Sequence, residues 1–358
     1  LKKWMRPQRK CTNLVNFLSS SFVMREPLGV VLLIAPWNYP FQLLMKPLIA
    51  AIAGGNCVVL KPSEHAPATA AVMKAMVEEI FPPHYILYVE GEGKSVLPQM
   101  MQQFVFDHVF FTGSPAVGKE IYKMAAENLV PVTLELGGKS PCVVDADADV
   151  VTTAKRIAVT KFTNAGQMCV APDYVLVHRS QKAALVEELK KYIIQFFGED
   201  AAAHYNYCKI INQNQFDRIV KYLDDGKVII GGNYNRSKLF IAPTLLEEVR
   251  LQSAVMNEEI FGPILPIIAF DEKQQALEII EANKNPLAFY IFSAKRQNAM
   301  QWLRDIASGG ACINNASWHF ANHYLPVGGR GKSGTGNYHG KYGFDTFTHA
   351  KAVLKSPN

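Results

Sequence analysis

The segment Gly166-Gln167-Met168-Cys169 sets a cysteine close behind a glycine, and glycine lets a loop bring its backbone near a ligand. A thiolate on such a loop attacks a carbonyl carbon well. Two residues elsewhere complete a reaction set: Glu135, in Val132-Thr133-Leu134-Glu135-Leu136, and Asn38, in Pro36-Trp37-Asn38-Tyr39-Pro40. A carboxylate such as Glu135 can activate water to hydrolyse a thioester. The Asn38 amide, with the backbone N–H of Cys169, can donate to the oxyanion of a tetrahedral adduct without adding charge.

Each of these residues also has a plainer reading. A cysteine is most often a small buried hydrophobe, and that reading is accepted for Cys57, Cys142 and Cys312. Glu135 at a strand end suits a cap or a surface carboxylate, although burial would raise its pKa and make it a stronger base. Asn38 between two prolines is a natural turn residue. Gly113-Ser114-Pro115-Ala116-Val117-Gly118 follows a strand-like run and opens a helical one, so its amides can face a pyrophosphate. Its spacing is not Gly-x-Gly-x-x-Gly, and by itself it equally describes a helix cap.

In these segments the chain resembles the aldehyde dehydrogenase superfamily. The likeness runs, in order, through Pro36-Trp37-Asn38-Tyr39-Pro40, Lys61-Pro62-Ser63-Glu64, Phe111-Thr112-Gly113-Ser114, the Glu135 and Cys169 segments, Glu258-Glu259-Ile260-Phe261-Gly262-Pro263 and Ser333-Gly334. Val170-Ala171-Pro172-Asp173-Tyr174 and Tyr338-His339-Gly340-Lys341 point to the class 3 branch.

The resemblance implies Cys169 as nucleophile, Glu135 as general base and Asn38 as oxyanion donor. The reaction it implies is oxidation of an apolar aliphatic or aromatic aldehyde to the carboxylic acid through a thiohemiacetal and a thioester. It further implies NAD or NADP as cofactor, held by Trp37, Lys61, Glu64, Gly113, Ser114, Val117, Leu136, Glu259 and Phe261. In that set Lys61 and Glu64 meet the adenosine ribose, while Glu259 and Phe261 hold the nicotinamide ribose and ring. A carboxylate near the 2′-hydroxyl favours NAD over NADP, a bias rather than a decision in this branch. The plainer alternative for Glu259 and Phe261 is a loop with a surface carboxylate and an anchoring aromatic.

Four residues depart from the family's usual pattern: Met168, Val327, Arg330 and Asn315. Met168 and Val327 are expected to border the substrate tunnel. Two other readings stand beside the main one. A coenzyme-A-acylating relative needs no water-activating carboxylate, so Glu135 argues against it. A non-catalytic structural or binding member would have lost the nucleophile or the base, and neither is lost.

The 358 residues suffice for two domains with sizeable cores. A hydrophobic share of 49% and a charged share of 19% exclude a disordered or fibrous chain. The net charge of +6 is scattered apart from Lys2, Lys3, Arg6, Arg9 and Lys10, which argues against a nucleic-acid partner. The six cysteines show no close pairing with histidines, so no metal is implied. Absence of a signal-like start and few cysteines in a long chain lead to a cytoplasmic expectation. The most apolar stretch, Gly29 to Ala35, is too short to cross a membrane.

The elements that must position these residues alternate. Continuous apolar runs at 29–35, 57–60, 108–111 and 131–134 suggest buried parallel strands, separated by helical spacing over 41–53, 68–80 and 117–129. That alternation predicts an α/β fold: a Rossmann-like cofactor domain over 1–9 and 25–136, with Asn38, Lys61 and Gly113 at strand ends. A second α/β domain, the catalytic one, is expected over 137–345. Its helices are predicted at 150–162, 181–197, 213–223, 273–282 and 297–306, and its strands at 228–230, 265–270 and 310–313.

Two pieces fit neither domain. Residues 10–24 alternate around Ser19-Ser20-Ser21 like a hairpin, and 346–358 form a strand-like tail. In the family the corresponding pieces make a small β oligomerisation flap, which implies a homodimer. The opening Leu1-Lys2-Lys3-Trp4-Met5 looks like the last turns of a helix. Class 3 relatives carry further helices ahead of it, so truncation is expected here.

Overall fold

The computed structural model describes residues 1–357, and these divide into two compact units: residues 1–135, 323–327 and 335–357, and residues 136–322 and 328–334. Both are α/β.

The first unit is organised on a sheet whose strands run in the spatial order Gly334–Thr335, Val132–Leu136, His108–Gly113, Val30–Ile34, Cys57–Lys61, Ile86–Tyr88. Val30–Ile34 pairs in parallel with both of its neighbours, and Cys57–Lys61 with Ile86–Tyr88. Helices Pro40–Ala53, Pro67–Ile80, Gly93–Gln103 and Pro115–Ala126 connect the strands. Three of the four open on proline, which suits the first helical turn because its missing N–H would have no partner there. Parallel strands covered on both faces explain the continuous apolar runs: Val31, Leu32 and Val109 are fully buried. The helix Gly93–Gln103 escaped the sequence reading, since Pro98 interrupts its pattern.

The hairpin expected around Ser19-Ser20-Ser21 is corrected. Its arms are Gln8–Lys10 and Ser20–Pro27, paired antiparallel, with a 3₁₀ turn at Leu14–Asn16 in the connection. The three serines lead into the second arm instead of turning between arms. Thr348–Lys355 pairs antiparallel along the whole of Ser20–Pro27, completing a three-stranded sheet with that strand at its centre.

The second unit holds a seven-stranded sheet in the order Lys227–Ile230, Thr244–Glu247, Ile264–Phe270, Tyr174–His178, Pro141–Val144, Ala288–Phe292, Gly310–Ile313. Only the first of these is antiparallel to its neighbour. Alternating side chains feed two cores, one on each face. Cys142, Val144, Val175 and Val177 pack with Ile157, Leu185 and Leu189 of helices Val150–Phe162 and Arg179–Phe197. Val143 and Leu176 pack with Phe216, Ile280 and Trp302 of the helices on the other side. The long helix ends at Gly198, whose φ of +77° is of the kind glycine adopts freely. Strands Pro141–Val144, Tyr174–His178 and Ala288–Phe292 were not foreseen.

Among the described residues no helix is long and apolar enough to cross a membrane. None of their His, Cys, Asp and Glu side chains cluster to hold a metal ion.

Candidate active site

The loop that carries Cys169 is shaped by backbone geometry. Helix Val150–Phe162 starts at Asp149, whose carboxylate accepts from Thr152 N at 2.7 Å. It is followed by three consecutive residues in the left-handed region: Asn164 (φ 53°), Ala165 (φ 51°) and Gly166 (φ 71°). At Gly166 a Cβ would stand 2.2 Å from the Gly262 carbonyl oxygen, so this position needs glycine on two counts. Buried Ala165 pays the local strain of a left-handed non-glycine residue.

Gln167 then ties the loop down. Its amide donates to the carbonyls of Asn164 and Lys209, each at 3.0 Å, and its Oε1 accepts from Ile211 N at 2.9 Å. Cys169 follows, half-buried, beside the core that contains Cys142. Met168 lies against the same core.

Glu259 and Phe261 are positioned in this unit by a buried ion pair. Lys139 donates to Asp173 and to the carbonyls of Val255 (2.7 Å) and Glu258 (2.9 Å), while Asp173 accepts from Ile260 N at 3.1 Å. Arg218 adds hydrogen bonds to the Glu259 and Ile260 carbonyls at 3.1 and 2.8 Å. Gly137 leaves room for the Glu259 carboxyl, since a Cβ there would stand 1.8 Å from its Oε2. Desolvation, with the nearby Asp173, pushes that carboxyl up to about 8. Phe261 is left-handed, at φ 46°. Leu136 is buried at the end of its strand.

In the first unit, three parallel strands bring the segments that follow them to the C-terminal end of the sheet. Trp37 and Asn38 are half-buried between Val30–Ile34 and the helix that opens at Pro40. Lys61 is buried, donating to the Pro62 carbonyl at 2.6 Å and lying 3.4 Å from Glu64. Glu64 Oε1 accepts from Gly93 N at 3.1 Å. Burial pushes the Glu64 carboxyl up, but hydrogen bonds from its own and the Gly93 amide, together with Lys61, outweigh this and hold it below the usual range. Ser114 caps helix Pro115–Ala126, its Oγ accepting from Val117 N at 3.4 Å.

Glu135 is 4% exposed in Val132–Leu136, and its Oε1 has no hydrogen-bond partner among the described residues. Desolvation raises its pKa well above the carboxylate norm. Thr112 Oγ1, one residue before Gly113, is also buried with no partner among the described residues. An unsatisfied hydroxyl beside a capped helix start, a buried ammonium and an ionised carboxylate fit a dinucleotide at these strand ends.

The residues that depart from the family pattern are also placed. Val327 is buried and exchanges backbone hydrogen bonds with Tyr338, at 2.9 and 2.7 Å. Asn315 accepts from Ala316 N at 2.9 Å, and Arg330 is exposed.

Sequence reasoning missed Lys161 and Tyr290. Lys161 is fully buried, its ammonium has no hydrogen-bond partner among the described residues, and desolvation lowers its pKa to about 8. A signal existed: Lys161 shares the helical spacing of the buried positions Ala154, Ile157 and Ala158. Tyr290 had no comparable mark.

A sequence model described as the aldehyde dehydrogenase family matches residues 6–353. The chain is 45% identical to 4,4'-diaponeurosporen-aldehyde dehydrogenase of Staphylococcus aureus, over 99% of this chain and 77% of that protein. It is 45% identical to aldehyde dehydrogenase family 3 member B1 of Homo sapiens, over 100% of this chain and 76% of the relative. Among solved structures, a substrate-bound Staphylococcus aureus AldH matches with TM-score 0.96 and 43% identity, covering 100% of this chain and 78% of that one. An NAD-dependent aldehyde dehydrogenase from Sinorhizobium meliloti matches with TM-score 0.89 and 31% identity, covering 98% and 71%. The chain therefore belongs to the aldehyde dehydrogenase family, with class 3 relatives, and is an enzyme that oxidises aldehydes with NAD or NADP as cofactor.

Proposed function

We propose that Cys169, Glu135 and Asn38 carry the oxidation, with Cys169 as nucleophile, Glu135 as water-activating base and Asn38 as oxyanion donor. Cys169 adds to the aldehyde carbon, and the Asn38 amide with the Cys169 N–H holds the resulting oxyanion. NAD or NADP, when bound, supplies the hydride acceptor. Cys169 then retains the acyl group as a thioester, and Glu135 takes a proton from the water that releases the acid.

The observation that carries this reading is Glu135. A buried carboxyl with an unsatisfied oxygen costs stability, and its raised pKa makes it a stronger base when ionised. Glu135→Gln tests it: a single burst of reduced cofactor should be followed by slow turnover, with an acyl-enzyme visible by mass. Loss of the burst itself would show that Glu135 acts before hydride transfer.

For the cofactor, we assign Lys61 and Glu64 to the adenosine ribose and Gly113, Ser114 and Val117 to the pyrophosphate. Glu259 and Phe261 take the nicotinamide ribose and ring, flanked by Trp37 and Leu136. An ionised Glu64 disfavours a 2′-phosphate and so supports NAD as the preferred form. The relative named for 4,4'-diaponeurosporen-aldehyde supports an apolar substrate. The sheet edge Thr348–Lys355 supports a homodimer through strand pairing. Six cysteines with no disulfide support the cytoplasm.

A further inference from the structure

Tyr290 lies in the middle of Ala288–Phe292, opposite Cys142 on one neighbouring strand and Cys312 on the other. It is fully buried in the core that Cys169 borders. Its hydroxyl donates to the Val170 carbonyl at 2.5 Å, and its ring faces that of His319, with centroids 6.2 Å apart. Val170 directly follows Cys169. Around this pair, Ala171 N closes a turn onto the Met168 carbonyl at 3.0 Å. Ser317, two residues before His319 in the 314–320 loop, is left-handed at φ 58°.

Packing does not explain the hydroxyl, because phenylalanine would fill the same volume. We infer that Tyr290 is a positioning residue: its hydroxyl latches the Cys169–Val170 turn to the strand Ala288–Phe292 and so fixes the direction of the Cys169 thiol and amide. The inference rests on Cys169 being the nucleophile. A displacement of about 1 Å at a reacting group can cost about 10²-fold in rate. A rigid central strand that holds the turn by one carbonyl limits such displacement.

The test is Tyr290→Phe in the full chain, with Tyr174→Phe as a matched control. Tyr174 is also fully buried, but its hydroxyl has no hydrogen-bond partner among the described residues. Tyr290→Phe should lower kcat/KM for aldehyde and the rate of the reduced-cofactor burst about tenfold, the loss expected for one hydrogen bond. It should slow alkylation of Cys169 by iodoacetamide, measured without cofactor, by a similar factor. The Tyr290→Phe melting curve should stay cooperative, and Tyr174→Phe should match wild type in turnover, burst and alkylation.

Wild-type kinetics and alkylation in Tyr290→Phe would overturn the proposal. So would equal losses in both variants, or a Tyr290→Phe protein that fails to fold, since the hydroxyl would then serve the core. Cys169→Ala, run in parallel, separates the premise from the inference. Turnover there removes the nucleophile assignment itself, whereas an inactive Cys169→Ala beside a wild-type-like Tyr290→Phe removes only the latch.

Discussion

Cys142 lies within a core of the second unit that Cys169 borders, and their surroundings are opposite. Cys142 is fully buried in the strand Pro141–Val144, and burial pushes its thiol well above the ordinary cysteine value. Cys169 is half-buried on a loop that three consecutive left-handed residues turn out of helix Val150–Phe162. The difference teaches that residue type and proximity to a core do not decide how far a thiol is buried. A thiol kept in a regular strand is a packing group, and one carried by a strained turn is the one we propose for chemistry.

The sharpest way to break this contrast is Cys169→Ala. It should abolish aldehyde oxidation, followed as reduced-cofactor absorbance, while far-ultraviolet circular dichroism and nucleotide binding stay intact. Turnover near the wild-type rate would leave the two cysteines equivalent. Asn38→Ala comes next, with a loss of roughly 10²- to 10³-fold in kcat if its amide is one of two oxyanion donors. A negligible change would return Asn38 to the role of a turn residue.

Gly166→Ala tests whether the turn makes the thiol available. The new Cβ would meet the Gly262 oxygen at a backbone angle that disfavours it, so a stability loss of about 2 kcal/mol is expected in denaturant titration. Slower alkylation of Cys169 should accompany it, and unchanged alkylation would detach reactivity from loop shape. The smallest effect belongs to Cys142→Ala, which should remain active and lose about 1 kcal/mol through the cavity left behind. Native wild-type protein treated with iodoacetamide should carry label on Cys169 and none on Cys142 by peptide mass mapping.

Legibility followed how local the cause was. The first-unit strands stood out because parallel strands buried on both faces are continuous apolar runs, as in Val30–Ile34. Helix Arg179–Phe197 showed its end at Gly198. The helix Gly93–Gln103 was hidden by Pro98. The hairpin was displaced because its short arm, Gln8–Lys10, owes its place to pairing with Ser20–Pro27 more than to its own pattern. Candidate site residues were legible where a glycine, proline or lone polar residue interrupted an apolar run, as at Asn38, Glu135 and Gly166. Tyr290 looked like any strand aromatic.

By itself the sequence determined which groups are present and which backbone shapes are permitted: a glycine ahead of Cys169, prolines at helix starts, a carboxyl inside an apolar run. Tertiary structure alone decided what surrounds them. Glu135 has an unsatisfied oxygen, Lys161 a buried ammonium and Tyr290 a hydrogen bond to Val170, a residue 120 positions away in the chain. Desolvation and hydrogen bonding are sums over neighbours that the chain brings together from distant positions, so no local window contains them.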